Sequence, residues 1–148
     1  MRKMLVYYAD KCTGCLYCEN ACTLRHKAEC GRNGSLIKLV TSERELNFAA
    51  MFCHHCKRPV CAELCPVGAI TRNDDIGLVR IDIKRCVGCG ECVACPLGGI
   101  DMDDDTGLAV NCDQCDGKPA CVEFCPAGAL QYLSTGEARR LKATAKQL

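Results

Sequence analysis

Tryptophan is absent from this chain, and aromatic residues make up only 5% of its 148 positions. With 13 glycines in the same length, too few bulky side chains remain to fill the interior of a domain this size. Something other than side chains must occupy the centre. No stretch reaches the ~18 successive apolar residues that a membrane-crossing helix needs, so no direct membrane insertion is expected. The start MRKMLV soon meets Asp10 and Lys11, which leaves no apolar leader run. Cytoplasmic residence is the default expectation, in a compartment that keeps thiols reduced. Charge of either sign is not in excess, since 19 Lys and Arg balance 18 Asp and Glu for a net +1. That balance gives no phosphate-binding face, and no nucleic-acid partner is expected. A Gly-rich nucleotide loop is missing, as is any Ser-His or Cys-His constellation, so no catalytic residue is assigned.

What the chain has in abundance is cysteine, 17 residues of it. Sixteen fall into four groups of four: CTGCLYCENAC from Cys12 to Cys22, CHHCKRPVCAELCP from Cys53 to Pro66, CVGCGECVACP from Cys86 to Pro96, and CDQCDGKPACVEFCP from Cys112 to Pro126. An odd count and redundant ligand-like spacing argue against a disulfide scaffold. Paired C-x2-C units also build structural zinc sites, and a zinc-binding interaction module is the remote alternative. Zinc ribbons, however, separate their pairs by a longer loop, whereas Cys12, Cys15, Cys18 and Cys86, Cys89, Cys92 run on as triples. Such triples fit three corners of an iron–sulfur cube, as in the spacing C-x2-C-x2-C-x3-C-P, whose fourth cysteine crosses to a second cluster. Four cubane clusters bound by four thiolates each, at about −2 apiece, would bring the loaded protein to a net charge near about −7. Lys11, Lys57, Arg58, Arg85 and Lys118 lie near the motifs and are either compensating neighbours or solvated charges.

Residues 3–8, KMLVYY, read as a short strand entering the first motif. Leu16 to Lys27 reads as a helix, with Cys18 and Cys22 four apart on one face. In residues 28–52, GRNG is a turn, SLIKLV a strand, and SEREL with the apolar run to Phe52 a second strand or short helix. Cys30 beside that turn is left over, a surface thiol or small filler. His54 and His55 fill the variable places of a C-x2-C and read as cluster-side donors or solvated residues; His26, like them, could ligate only if a cysteine were displaced. From Cys65 a repeat of 30 residues sets in: CPVGAI, CPLGGI at Cys95, CPAGAL at Cys125, followed by the polar turns NDDIG, DDDTG and STG. Proline ends each motif helix and glycine two residues on gives the backbone room. The tail from Gly136 reads as a frayed surface helix, with partner docking as the sharper alternative.

Four motifs can pair sequentially or in a nested order, and the short gap from Cys65 to Cys86 favours the second and third as a compact unit. The four-motif order, with C-x2-C-x4-C-x3-C-P second and C-x2-C-x5-C-x3-C-P last, resembles the iron–sulfur electron-transfer subunits of molybdenum and tungsten oxidoreductases. That family includes the small subunits of formate dehydrogenase, dimethyl sulfoxide reductase and tungsten aldehyde oxidoreductase, and similar proteins serve carbon monoxide dehydrogenase and hydrogenases. The resemblance covers about residues 3–135. It implies an α+β fold of two nested ferredoxin-like units: residues 1–47 with 104–135 outside, 48–103 inserted, and 136–148 a helical tail. It implies four [4Fe-4S] clusters with nested ligation: Cys12, Cys15, Cys18 with Cys125; Cys112, Cys115, Cys121 with Cys22; Cys53, Cys56, Cys61 with Cys95; Cys86, Cys89, Cys92 with Cys65.

The family's third motif has three residues before its last cysteine, but here only Val93 and Ala94 separate Cys92 from Cys95. A lost helical residue turns a side chain by about 100°, so either the turn tightens to bring Cys95 back, the favoured reading, or the cluster on Cys53, Cys56 and Cys61 is loosely held. The implied function is a non-catalytic relay of single electrons between a large Mo- or W-pterin subunit, with tungsten aldehyde oxidoreductase favoured, and a further redox subunit or ferredoxin. Self-association into a longer conductor is a further possibility. A free polyferredoxin carrier, or a subunit of a carbon monoxide dehydrogenase or hydrogenase, is the alternative.

Overall fold

The computed structural model describes residues 2–41 and 47–145. Strand β1 (Lys3–Tyr7) leads through a short 3-10 turn, Ala9–Lys11, to the first cysteine loop and helix α1 (Tyr17–Lys27). Next come strands β2 (Ile37–Thr41) and β3 (Phe48–Phe52), helix α2 (Val60–Leu64), and strands β4 (Ile70–Asn73) and β5 (Leu78–Ile81). After a second 3-10 turn, Glu91–Ala94, strands β6 (Ile100–Met102) and β7 (Ala109–Asn111) follow. A third turn, Gln114–Gly117, leads to helix α3 (Ala120–Glu123), strand β8 (Leu130–Ser134) and helix α4 (Thr135–Ala145). The SEREL stretch at 42–46, read as strand or helix, lies outside the described residues. The apolar run after it is strand β3.

Among the described residues the strands form four two-stranded antiparallel sheets. Three are local hairpins: β2 with β3, β4 with β5, and β6 with β7. The last two span the 30-residue repeat, each turning at the Asp-rich stretch read as a turn. In the fourth, β1 pairs with β8 from Lys3 opposite Ser134 to Tyr7 opposite Leu130, so the beginning and end of the fold are joined.

Burial separates into two main groups. Leu5, Ile37, Leu39, Phe52 and Leu130 pack with Cys18, Cys22 and Cys121. Ile70, Val79, Ile100 and Ala109 pack with Cys61 and Cys92. Alternation sets the first group, since Ile37 and Leu39 face inward on β2 while Lys38 and Val40 face out. The first group thus takes its cysteines from the first and last motifs, the second from the middle two. Across the boundary Lys27 pairs with Asp103 and Asp105, Lys38 pairs with Asp101, and the Asn111 amide donates to the Val79 carbonyl at 2.9 Å.

The C-terminal helix differs from the frayed tail suggested by its composition. Ser134 and Glu137 form a capping box: the Ser134 backbone N–H and hydroxyl reach the Glu137 carboxylate at 2.9 and 2.6 Å, and the Glu137 N–H reaches the Ser134 hydroxyl at 3.3 Å. STG therefore starts a helix instead of a turn. Ala138, 4% exposed, settles α4 on the fold, where it packs against β8 and β1.

Candidate iron–sulfur site

Each motif opens with a C-x2-C loop, and the residue before the second cysteine has a left-handed backbone in all four. Gly14 (φ 70°) and Gly88 (φ 68°) adopt this conformation at no steric cost. His55 (φ 48°) and Gln114 (φ 58°) adopt it against the preference of L-residues. Both of these side chains are buried and anchored. His55 Nδ1 accepts the Val79 N–H at 3.0 Å, and Gln114 Oε1 accepts the Tyr132 hydroxyl at 3.0 Å. His55 is therefore a clamp on its own loop, with Nδ1 also 3.7 Å from Cys53 Sγ. His54 stacks on Phe52 with ring centroids 4.6 Å apart. The role of Gln114 was not legible in the sequence; its signal is position, since it stands where the other motifs carry glycine or histidine.

The second half of each motif sends its last cysteine away along a helical turn. In α2 and α3, each entered through a proline, Cys61 to Cys65 and Cys121 to Cys125 are four residues apart. The third motif has one residue fewer, and its turn Glu91–Ala94 is a 3-10 helix closed by the Val93 N–H on the Gly90 carbonyl at 3.0 Å. At about three residues per turn, a spacing of three returns Cys95 to the face of Cys92. After each of these motifs the same bend follows: the N–H of Gly68, Gly98 and Gly128 donates to the carbonyl of Cys65, Cys95 and Cys125 at 3.2, 3.0 and 3.2 Å. Close packing behind the third bend is tight enough that a Cβ on Gly99 would lie 2.7 Å from Cys53 Cα.

The buried thiols repel one another across motif boundaries. Burial pushes the Cys18 thiol up to about 12, with added repulsion from Cys12 and Cys125. Burial raises Cys121 well above the ordinary thiol range, with Cys112, Cys22 and Cys115 adding to it. Cys61 is pushed up to about 11 by burial, then by Cys53 and Cys95, and Cys53 rises through burial with Cys56 and Cys95 beside it. Burial likewise raises Cys92, with Cys86, Cys89 and Cys65 as its charged neighbours. In each case thiols of one motif have the last cysteine of another among their charged neighbours. Cys15 is exposed ahead of α1, and exposed Cys30 lies on a groove lined also by Tyr17, Leu24, Phe124 and Cys115.

Between sets there are also close approaches. Cys18 adds to the upward shift of Cys121, while Cys53 adds to that of Cys112, which burial carries to about 12. The Asn111 amide stands at the second junction, 3.5 Å from Cys53 Sγ.

These pockets suit a positively charged iron core bound by thiolates. Buried thiols whose protons are hard to remove into a dry interior need a cation in the proton's place. Backbone donors already face the sulfurs: Leu36 N–H to Cys22 at 3.3 Å, Ala69 N–H to Cys65 at 3.2 Å, and Gln114 N–H to Cys112 at 3.4 Å. Such amides offset the negative charge a thiolate-bound cluster carries. None of the 17 cysteines forms a disulfide.

Fold and site together define a small mixed α/β iron–sulfur protein with more than one [4Fe-4S] cluster. Residues 44–135 match the 4Fe-4S dicluster domain and residues 9–25 a 4Fe-4S binding domain. The chain belongs to the 4Fe-4S dicluster family. It is 32% identical to the putative electron transport protein YsaA of Escherichia coli, covering 95% of both chains. It is also 32% identical to the thiosulfate reductase electron transfer subunit PhsB of Salmonella typhi, over 87% of this chain and 74% of that one. Other curated relatives are longer, and the chain spans 25% and 29% of two of them. The fold is similar to a chain of the BamBC active-site complex of benzoyl coenzyme A reductase, with a TM-score of 0.53 at 20% identity, covering 97% of this chain and 88% of that one. Among the described residues no helix is long and apolar enough to cross a membrane.

Proposed function

We propose that the chain is a relay subunit passing single electrons through four [4Fe-4S] clusters. The ligand sets are Cys12, Cys15, Cys18, Cys125; Cys22, Cys112, Cys115, Cys121; Cys53, Cys56, Cys61, Cys95; and Cys65, Cys86, Cys89, Cys92. The observation that carries this reading is that the last cysteine of every motif is drawn to the set of another motif, first with fourth and second with third. It supports an inner unit, 48–103, inserted into an outer one, 1–47 with 104–135, and the separate packing groups support the same division.

The approaches of Cys18 to Cys121 and of Cys53 to Cys112 order the clusters into a line in which the two ferredoxin-like units meet at Asn111. Cys15 and Cys89, one in each terminal set, are exposed. Electrons therefore enter and leave at opposite ends, while the chain's own residues bury the inner sulfurs, aim amides at them and exclude water. When bound, the clusters supply the one-electron chemistry; the chain has no catalytic step of its own.

The partner is a large Mo- or W-pterin oxidoreductase subunit, supported by the motif order, with tungsten aldehyde oxidoreductase kept as the favoured class and a further redox protein at the other end. The name of PhsB, an electron transfer subunit, supports a subunit role. Anaerobic purification from the native host with metal analysis tests it. Iron for four clusters, with molybdenum or tungsten in fixed stoichiometry, is the expected result. An iron-free or zinc-loaded chain overturns the cluster reading; an iron-loaded chain without a partner replaces the subunit with a free carrier.

A further inference from the structure

We propose that His26 is a positioning residue for one cluster alone: from α1 its imidazole hydrogen-bonds the Cys115 sulfur of the Cys22, Cys112, Cys115, Cys121 set and holds that cluster's reduction potential up. The inference rests on the ligand sets proposed above. His26 follows Cys22 by four residues on α1, so the two share a face of the helix. Its Nε2 lies 3.8 Å from Cys115 Sγ. His26 and Cys115 stand 89 positions apart in sequence, so only the folded chain brings the imidazole to that sulfur.

A second partner fixes the ring. Asp113 Oδ1 is 3.5 Å from His26 Nε2 and accepts the Cys115 N–H at 2.7 Å, tying the histidine to the same loop that carries the ligand. Among the histidines, His55 also approaches a thiol, but its Nδ1 accepts a backbone N–H and so has no proton there to give. His26 is different: its Nε2 faces a carboxylate oxygen and a sulfur, both acceptors, so that nitrogen stands as donor.

Reduction adds one negative charge to a cluster, and hydrogen bonds to its sulfurs stabilise the reduced form more than the oxidised one. Removing the donor therefore lowers the potential. A tenfold change in the reduced-to-oxidised ratio at fixed ambient potential corresponds to about 59 mV for one electron.

The test is an EPR-monitored redox titration of the anaerobic holoprotein, as wild type, His26→Leu and His26→Gln. In His26→Leu one of four clusters should become at least tenfold harder to reduce while three hold their potentials. His26→Gln, which keeps an N–H donor but loses the ring, should shift the same cluster in the same direction by less. If His26→Leu fails to load that cluster, His26→Gln decides, with a threefold or larger shift at one cluster expected. Less than a twofold change at every cluster, or an equal shift at all four, overturns the proposal. A wild-type protein without four clusters instead overturns the ligand sets, which the iron content of the same sample reports separately.

Discussion

Replacing Ile37 with alanine should release two clusters and leave the other two in place. Ile37 is 2% exposed and packs against Cys18, Cys22 and Cys121 through the first hydrophobic group. Three buried carbons at ~0.8 kcal/mol each, plus the cavity they leave, cost about 2–5 kcal/mol. At about 1.4 kcal/mol per factor of ten, the locally open state becomes roughly thirty- to several-thousand-fold more populated. The loss is confined because the second group, around Val79, shares no member with the first. Val79→Ala is the mirror experiment: Val79, also 2% exposed, gives up two carbons, about 1.6 kcal/mol before any cavity contribution. The assay is anaerobic challenge of the holoprotein with a ferrous chelator, following the charge-transfer absorbance near ~400 nm and identifying the surviving clusters by EPR. Ile37→Ala should bleach in two phases, the fast one accounting for half the clusters, and Val79→Ala should spare the half that Ile37→Ala loses. Uniform bleaching of all four in both variants would refute the division into two packing units.

Restoring the missing residue by inserting alanine between Val93 and Ala94 should convert the 3-10 turn at Glu91–Ala94 into an α-turn like α2 and keep the full iron content, whereas Cys95→Ala should lose one cluster. Iron analysis checks both, and loss of a cluster on insertion would count against the turn as the compensating device. Lys27 holds the Asp103 carboxyl down to about 2 from its usual 3.8. The depressed carboxyl makes this contact a contribution fully present above about pH 4 that disappears as pH falls through about 2. The Asp103 carboxyl carbon shift should stay flat from pH 7 to about 4 in the wild type and begin to move at higher pH in Lys27→Met; superimposable titrations would refute the pairing.

Chemistry that lies in local spacing was legible along the chain. The C-x2-C loops, the prolines that end the motif helices, the 30-residue repeat and its hairpins all follow from residues a few positions apart. Less legible were features in which a residue's meaning comes from a distant partner. His55 and Gln114 look like variable fillers, yet each is held in a left-handed conformation by a hydrogen bond to Val79 or Tyr132. The helix of the tail was legible in its composition, but its capping box of Ser134 and Glu137 and its packing on the first strand were not read.

The sequence by itself determined that sulfur would replace a conventional core, because sixteen cysteines in ligand spacing stand where aromatic residues are few. It left open how four motifs would be brought together, since spacing within a motif says nothing of which other motif it faces. Tertiary structure decided which strands meet: β1 pairs with β8 across the whole chain, while β4–β5 and β6–β7 close as local hairpins. Strand pairing can join residues more than a hundred positions apart because backbone hydrogen bonding carries no memory of sequence distance, and only the folded chain shows which edges have met.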